Sequence, residues 1–427
     1  MFDGFLRVAA ATPDIRVADC NFNGASAAAL VSEAYEQGVS LLVLPELCLT
    51  GYTCSDLFLQ ESLLDGAGKA LLTLTEATRD KNMVVLAGLP LTVNGVLYNV
   101  AAVLHDGDIL GFVPKSYLPT YSEFYEGRHY HSGADIETDV LFNGRTYPFG
   151  TRLLFRCRQM PAFTLGIEIC EDLWVAQPPS ISHALAGATV IANLSASDET
   201  TGKDIYRRSL VSGQSARLVC GYIYADAGEG ESSTDLVFGA HNLICENGSI
   251  LAESERFSNQ MIMADMDMSK LISERRRMTT WQPKFDNGYR VIDFDLEMHE
   301  VDLRRFIDPH PFVPDDAMDR TRRCEEILTI QAMGLKKRLA HTHCRHAVVG
   351  ISGGLDSTLA LLVTVRAFDM LDMDRSQIMA VTMPCFGTTD RTYHNACELV
   401  RRLGATLEEV DIKEAVTLHF SDIGQDP

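Results

Sequence analysis

From Phe5 to about Met268, short apolar runs alternate with longer amphipathic stretches. The runs FLRVAAATP, SLLVLPE, MVVLAGLPL, YNVAAVLHD, FTLGIEIC, TVIANLSAS, GYIYADAG, HNLICENG and MIMADMDM are predicted strands. Helices are predicted over Asn23 to Gln37, Leu63 to Asp80, Pro179 to Leu185 and Tyr206 to Leu218. LLVLP and VIANL are apolar at successive positions, as strands covered on both faces are. Tyr98 to His105 and Gly107 to Val113, with Asp106-Gly107 between them, read instead as a hairpin. The mixture predicts an α/β protein with layered sheets and helices outside.

Three prolines in IDPHPFVP, Ile307 to Pro314, fix φ and remove backbone donors, so neither a helix nor a central strand continues through them. The expected organisation is therefore a domain over residues 1–306, a linker over 307–316 and a second domain over 317–427. In the second, a helix is predicted from Asp316 to Ala340. HAVVGIS, IMAVTMP and ATLEEVDI then alternate as strands with helices beginning at Asp356 and Asp390, the rhythm of parallel βαβ units. His346 to Pro427 is 82 residues. A doubly wound parallel sheet, at ~30 residues or more per βαβ unit, needs further chain, so the expectation is a truncated domain, whether the remainder is lost by cleavage or supplied by another chain.

A length of 427 residues fits two or three domains, and 46% hydrophobic with 22% charged residues is globular composition. The net charge of −21 repels phosphate backbones and anionic lipid, so neither nucleic acid nor a membrane is an expected partner. Eleven scattered cysteines without a CxxC pair, and an N-terminus lacking a signal-peptide pattern, point to a soluble protein of the reducing cytoplasm.

Candidate chemistry sits at strand ends. Glu46 closes LLVLPE, where a rigid, poorly solvated carboxylate suits a general base. Lys115, in GFVPKSYLPTYSEFYEGR, follows a strand and a proline, where a fixed ammonium can stabilise an oxyanion. Cys170 ends FTLGIEIC before Glu171 and Asp172, a place for a projecting nucleophile. Singly, each has a bland reading: a solvated glutamate, a surface lysine, a small buried thiol. Together LPE, PKSYLPTY and EICEDLW resemble the three signatures of the nitrilase, or carbon–nitrogen hydrolase, superfamily. That resemblance implies an αββα sandwich with Cys170 as nucleophile, Glu46 as base and Lys115 as oxyanion stabiliser. It also implies an accessory glutamate, Glu126, with Glu123 competing for the role. Thioester chemistry follows: the thiolate attacks an amide, ammonia leaves, and water cleaves the thioester. The neighbouring cation is expected to favour the thiolate.

In VVGISGGLDSTLALLVTV an apolar strand, a glycine-rich turn and a helix meet at Gly350, Ile351, Ser352, Gly353, Gly354, Leu355, Asp356 and Ser357. Paired glycines admit a ligand close to backbone N–H groups, and the helix start favours an anion. Lacking the P-loop lysine, SGGLDS instead resembles the pyrophosphate loop of the ATP pyrophosphatases. Asp356 then either helps hold Mg²⁺ or caps the helix. MPCFGTTDRTYHNA, with Thr388 and Thr389 at the strand end, is similar to the matching segment of NAD synthetases. His341, His343, Cys344 and His346 have no second cluster at zinc spacing. Arg275, Arg276 and Arg277 read as a solvated or interface segment.

Jointly the two parts resemble the glutamine-dependent NAD synthetases. The resemblance implies that glutamine supplies ammonia, channelled through a tunnel, for ATP-dependent amidation of nicotinic acid adenine dinucleotide, giving NAD, AMP and pyrophosphate. Tyr121, Glu171, Trp174, Ser197 and Lys203 are implied to hold L-glutamine, ATP and Mg²⁺ to serve the synthetase step, and a large homo-oligomer is implied. The alternatives are a free-standing nitrilase-family amidase with a non-catalytic C-terminal domain, and a purely structural role.

Overall fold

A computed structural model describes residues 4–233, 235–284, 288–386 and 389–425. The chain forms two compact units, residues 1–306 and 307–427, each described by itself. In chain order the first unit holds β1 (Phe5–Ala11), α1 (Cys20–Glu36), β2 (Leu41–Val43), α2 (Glu61–Ala77), β3 (Val84–Val93), β4 (Val96–His105), β5 (Asp108–Pro114), α3 (Glu126–His129), β6 (Glu137–Phe142), β7 (Arg145–Gly150), β8 (Leu153–Cys157) and β9 (Thr164–Ile169). It continues with α4 (Pro179–Leu185), β10 (Val190–Ser195), α5 (Lys203–Leu218), β11 (Gly221–Asp226), β12 (Leu243–Glu246), β13 (Ser249–Glu253), β14 (Met261–Asp267), α6 (Met268–Arg277) and β15 (Arg290–Phe294).

Among the described residues the strands make an eight-stranded sheet, β14-β1-β2-β3-β4-β5-β7-β6, and a seven-stranded sheet, β13-β12-β11-β10-β9-β8-β15. Their facing sides share one core, in which Val8, Leu41, Val84 and Val103 of the first sheet join Leu165, Ile167, Val190 and Ile223 of the second. Helices α1 and α2 cover the other face of the first sheet, and α4 and α5 that of the second. The result is the expected αββα layering. It explains why the central strands lack polar alternation: both faces are buried, and each large aliphatic side chain there contributes about 1.5–3 kcal/mol. The hairpin lies as expected, with β4 and β5 antiparallel around Asp106 (φ 45°) and Gly107 (φ 72°), which suits a type I′ turn.

The strands absent from the sequence reading lie mainly near sheet margins, where one face or one edge meets solvent and the apolar signal weakens. β6, β13 and β15 are sheet ends. β7 carries Pro148, and its register with β5 consists of the single pair Phe112–Phe149. Helix α6 also went unpredicted; the Asp267 side chain caps it by accepting from Lys270 N.

Arg275 corrects the reading of the triple arginine. Its Nε donates to Val219 O and its guanidinium to Leu218 O, each at 3.0 Å, while the group lies 4.5 Å over the Trp281 ring. It therefore satisfies carbonyls left open at the end of α5. Arg276 and Arg277 are exposed.

The second unit comprises α7 (Ala317–Thr342), β16 (Ala347–Gly350), α8 (Leu355–Asp369), β17 (Ile378–Thr382), α9 (Asp390–Leu403), β18 (Thr406–Glu409) and α10 (Lys413–Ile423). The sheet β16-β17-β18 is parallel throughout. Its core joins Leu361, Val365 and Phe368 of α8 to Ile378 and Ala380 of β17 and Val400 of α9.

Candidate active site

Glu46 lies in the turn that leaves β2. The following Leu47 has φ +51°, and Gly88 of β3 lies so close that a Cβ there would come 2.2 Å from Leu47 N. The glycine lets the turn settle onto the sheet, leaving the Glu46 carboxylate 1% exposed. Glu46 Oε1 accepts from Lys115 Nζ at 2.7 Å and from Asn99 Nδ2 at 2.6 Å, while Oε2 accepts from Ala196 N at 2.9 Å. These donors hold the side chain in one orientation.

Lys115 follows β5 directly and is fully buried. Its ammonium also donates to Glu126 Oε1 at 2.6 Å, and Tyr52 OH donates to the same oxygen at 2.8 Å. Burial by itself would lower the Lys115 pKa, but Glu126, Glu46 and Cys170 raise it well above the ordinary lysine range. The two carboxylates thus favour the ammonium form against the cost of burial. The geometry also separates the two candidate accessory glutamates: Glu126 reaches Lys115, whereas Glu123 is half-buried and hydrogen-bonds Asp198.

Cys170 stands at the end of β9 with φ +43°, a left-handed conformation that costs a non-glycine residue energy and turns its side chain out of the strand direction. Its N–H donates to Asn193 Oδ1 at 3.0 Å. Asp172 closes the turn: its carboxylate accepts from Ile169 N at 3.0 Å and, across the site, from Tyr117 N at 2.8 Å and Ser116 N at 3.1 Å. The turn bearing Cys170 is thereby tied to the segment bearing Lys115. Burial first, then Glu46, pushes the Cys170 thiol well above its ordinary pKa, and the opposing pull of Lys115 does not restore it. Lys115 pulls toward the thiolate, as expected, but burial and the Glu46 charge weigh against it.

Glu126 is pushed up to about 7, by burial first and against the pull of Lys115. A carboxyl whose pKa is raised on folding adds stability that is complete below the unfolded value of about 4.5 and is lost as pH rises through 7. Wild-type protein is therefore expected to lose about 1 kcal/mol more than Glu126→Gln between pH 6 and pH 8. Urea midpoints at the two pH values measure this. Equal pH slopes in both proteins would remove Glu126 as the source.

Around this centre, Tyr121 OH donates to Glu171 Oε1 at 2.8 Å. The Lys203 ammonium pairs with Asp198 and lies 5.3 Å from the Trp174 ring centroid and 5.8 Å from that of Phe124. Trp174 also packs partly against the outer core of the second sheet and tilts against Tyr206. Buried Ser197 donates its N–H to Asp226 Oδ1 at 2.8 Å, and its hydroxyl accepts from Arg207 at 3.2 Å. A cavity of about 460 Å³ is lined by Tyr52, Glu126 and Tyr130 among others, but not by Cys170. The sequence reading missed Asn99, Asp172, Asn193 and Arg207. Asp172 and Asn193 lie within the quoted phrases EICEDLW and TVIANLSAS, while nothing local marks Asn99 or Arg207.

In the second unit, Gly350 ends β16 and Ile351 is buried, donating its N–H to Val381 O at 2.8 Å. Gly353 has φ +81°, and a Cβ on it would lie 2.1 Å from Thr392 O, so this position requires glycine. Ser357 Oγ accepts from Ser352 N at 3.3 Å and donates to Gly354 O at 3.1 Å, while Ser352 Oγ accepts from Gly354 N at 3.3 Å. Leu355 and Asp356 open α8 and are exposed. Thr389 caps α9, accepting from Thr392 N at 3.4 Å; Thr388 lies outside the described residues. The turn thus presents backbone and hydroxyl groups at a helix start. Among the described residues no group of three or more His, Cys, Asp or Glu side chains is placed to hold a metal ion. Nor is any described helix long and apolar enough to cross a membrane.

Comparison with known proteins adds two family matches: carbon-nitrogen hydrolase over residues 7–276 and NAD synthase over residues 327–427. A glutamine-dependent NAD(+) synthetase of Mycobacterium tuberculosis is 43% identical over 431 residues, which cover 99% of this chain and 64% of that protein. The chain therefore spans somewhat less than two thirds of the length of this curated relative. Among solved structures, a glutamine-dependent NAD(+) synthetase from Cytophaga hutchinsonii is 22% identical with a TM-score of 0.56, the match covering 98% of this chain and 67% of that one. One from Acinetobacter baumannii, solved with adenosine diphosphate, is 23% identical with a TM-score of 0.52 and the same coverage, 98% and 67%. At these identities the structures establish the shared fold.

Proposed function

We propose, from the premise that this chain belongs to the carbon–nitrogen hydrolase family, that its first unit releases ammonia from L-glutamine. The observation that carries the reading is the buried Lys115 ammonium held between Glu46 and Glu126, beside a strained Cys170. Glu46 removes the thiol proton as sulfur attacks the carboxamide carbon. Negative charge develops on the carbonyl oxygen and is stabilised by Lys115, which stays protonated throughout. The C–N bond breaks as Glu46 returns its proton to the leaving nitrogen, and ammonia departs. Water then attacks the thioester with the same base, giving glutamate and free thiol. Glu126 keeps Lys115 charged and leaves one buried oxygen, Oε2, without a protein partner, available to accept a substrate amide N–H.

Glutamine selectivity is assigned to the surrounding shell. Lys203 receives the α-carboxylate, and Glu171, positioned by Tyr121, receives the α-ammonium. Ser197 supplies a fixed hydroxyl, and Trp174 forms an apolar wall. A lysine makes a point contact where an arginine would make a two-pronged one.

The second unit, residues 317–427 beyond a linker at 307–316, is read as part of an ATP-pyrophosphatase domain. Gly350 to Ser357 cradles the ATP phosphates, and the consumed acid is nicotinic acid adenine dinucleotide, amidated to NAD with release of AMP and pyrophosphate. Among the described residues Asp356 belongs to no group of His, Cys, Asp or Glu side chains placed to hold a metal ion, so a Mg²⁺ beside it would be held mainly by the nucleotide's own phosphates. The reaction is placed in the cytoplasm, in a homo-oligomer that light scattering would size.

One paired assay tests the whole reading. Ammonia from glutamine and NAD from the deamido dinucleotide are followed on the same preparation, with and without ATP. Ammonia release at a rate far above that for simple aliphatic amides and nitriles is the expected result. Preference for another amide would leave an amidase and overturn the glutamine assignment.

A further inference from the structure

Behind Cys170 runs a buried chain of hydrogen bonds that takes no direct part in the chemistry above. The Cys170 N–H donates to Asn193 Oδ1 at 3.0 Å, and Ser195 Oγ donates to the same oxygen at 2.8 Å. Asn193 Nδ2 donates to Tyr222 OH at 3.2 Å, and Tyr222 OH donates in turn to Glu168 Oε1. Glu168 Oε2 accepts from Ser180 N at 2.8 Å, and Ser180 Oγ accepts from Gln214 Nε2 at 2.9 Å. Glu168 also receives hydrogen bonds from the Ser180 hydroxyl and the Asn193 amide. Glu168, Asn193 and Tyr222 are buried, so no group on this path can turn to water instead.

Such a chain has a direction. An asparagine amide presents either oxygen or NH₂ to a given neighbour, and only the oxygen can serve the Cys170 N–H. The carboxylate of Glu168 accepts only, so Tyr222 must donate to it and the Asn193 NH₂ must face that end. The oxygen then faces Cys170. We infer that Glu168 is a positioning residue for the nucleophile: acting through Tyr222 and Asn193, it fixes the backbone of Cys170 in the left-handed conformation that aims its sulfur. This builds on the reading of Cys170 as nucleophile and adds a residue that touches neither substrate nor sulfur.

Glu168→Gln separates this from mere packing, because the shape is kept and the direction reversed. Ser180 N–H requires an acceptor, so the new amide oxygen takes the Oε2 place and the NH₂ group faces Tyr222 and Asn193. The Tyr222 hydroxyl then loses its acceptor unless Asn193 turns its oxygen toward it, which brings the Asn193 NH₂ against the Cys170 N–H. Donor would face donor at the nucleophile.

The test follows glutamine hydrolysis per titrated active site, together with the rate of Cys170 alkylation by iodoacetamide, in the full chain. Misaligning a reacting group by a fraction of an ångström to 1 Å lowers rates by up to ~100-fold. Glu168→Gln is therefore expected to lower kcat by about 10- to 100-fold and slow alkylation in step, with KM for glutamine within about twofold. A structural role alone would reduce the number of titratable sites and leave kcat per site unchanged. Wild-type kcat and wild-type alkylation in Glu168→Gln overturn the inference. Should that variant fail to fold, Tyr222→Phe decides, since it deletes the bridging hydroxyl at constant ring volume. Reduced kcat at unchanged KM supports the chain, and unchanged kcat overturns it. If wild type alkylates at Cys170 but does not hydrolyse glutamine, the substrate reading falls alone, and the alkylation rates still decide the role of Glu168.

Discussion

Cys170→Ala is expected to reduce ammonia release from glutamine by at least ~10⁴-fold while the protein keeps its fold. In the proposed mechanism activity depends on one sulfur forming a covalent bond, and no neighbouring side chain can replace it: Glu46 is locked by three donors and the Lys115 ammonium is held by two carboxylates. The substitution removes one small buried group. Its backbone anchor, the N–H to Asn193, is independent of the side chain, so the turn should remain. Circular dichroism and a melting temperature close to wild type establish the fold, and a coupled ammonia assay measures the loss. Hydrolysis near the parental rate would remove Cys170 from the mechanism.

Lys115→Met is the second large effect, and it differs in kind. Loss of an oxyanion donor commonly costs about 10²- to 10³-fold in kcat. Here the same change also leaves Glu46 and Glu126 without the cation that both face, and breaking a buried pair from one side destabilises by about 3–5 kcal/mol. The variant should be both slow and fragile, whereas Cys170→Ala is inactive and sturdy. Measuring kcat and urea midpoint on both variants resolves the contrast. A Lys115→Met protein of wild-type stability would show that the ammonium does not hold the carboxylates together.

Much of the architecture was legible because central strands sandwiched between layers must be apolar on both faces, and LLVLP and VIANL announce that directly. Glu46, Lys115 and Cys170 each stand at the end of an apolar run, but singly that position marks nothing, and they became legible only as a set, through the phrases LPE, PKSYLPTY and EICEDLW. The marginal strands were not, since β6 and β13 carry the mixed pattern of any exposed segment. Asn99 was invisible because it sits inside a strand whose neighbours are apolar, and its value appears only when β4 brings it against Glu46. Arg275 was misread for the converse reason. Three consecutive arginines look solvated, and only the end of α5, some 56 residues earlier in the chain, shows that one of them is buried on carbonyls.

The burial of Cys170 has a consequence for durability. Oxidants and stray electrophiles react with thiolates, and the damage runs from sulfenic to irreversible sulfinic and sulfonic acids. A sulfur that is 5% exposed offers peroxide little to react with. The same burial and neighbouring negative charge that disfavour the thiolate thus shield the sulfur, and an electrophile small enough to enter the site becomes the main partner it ever meets.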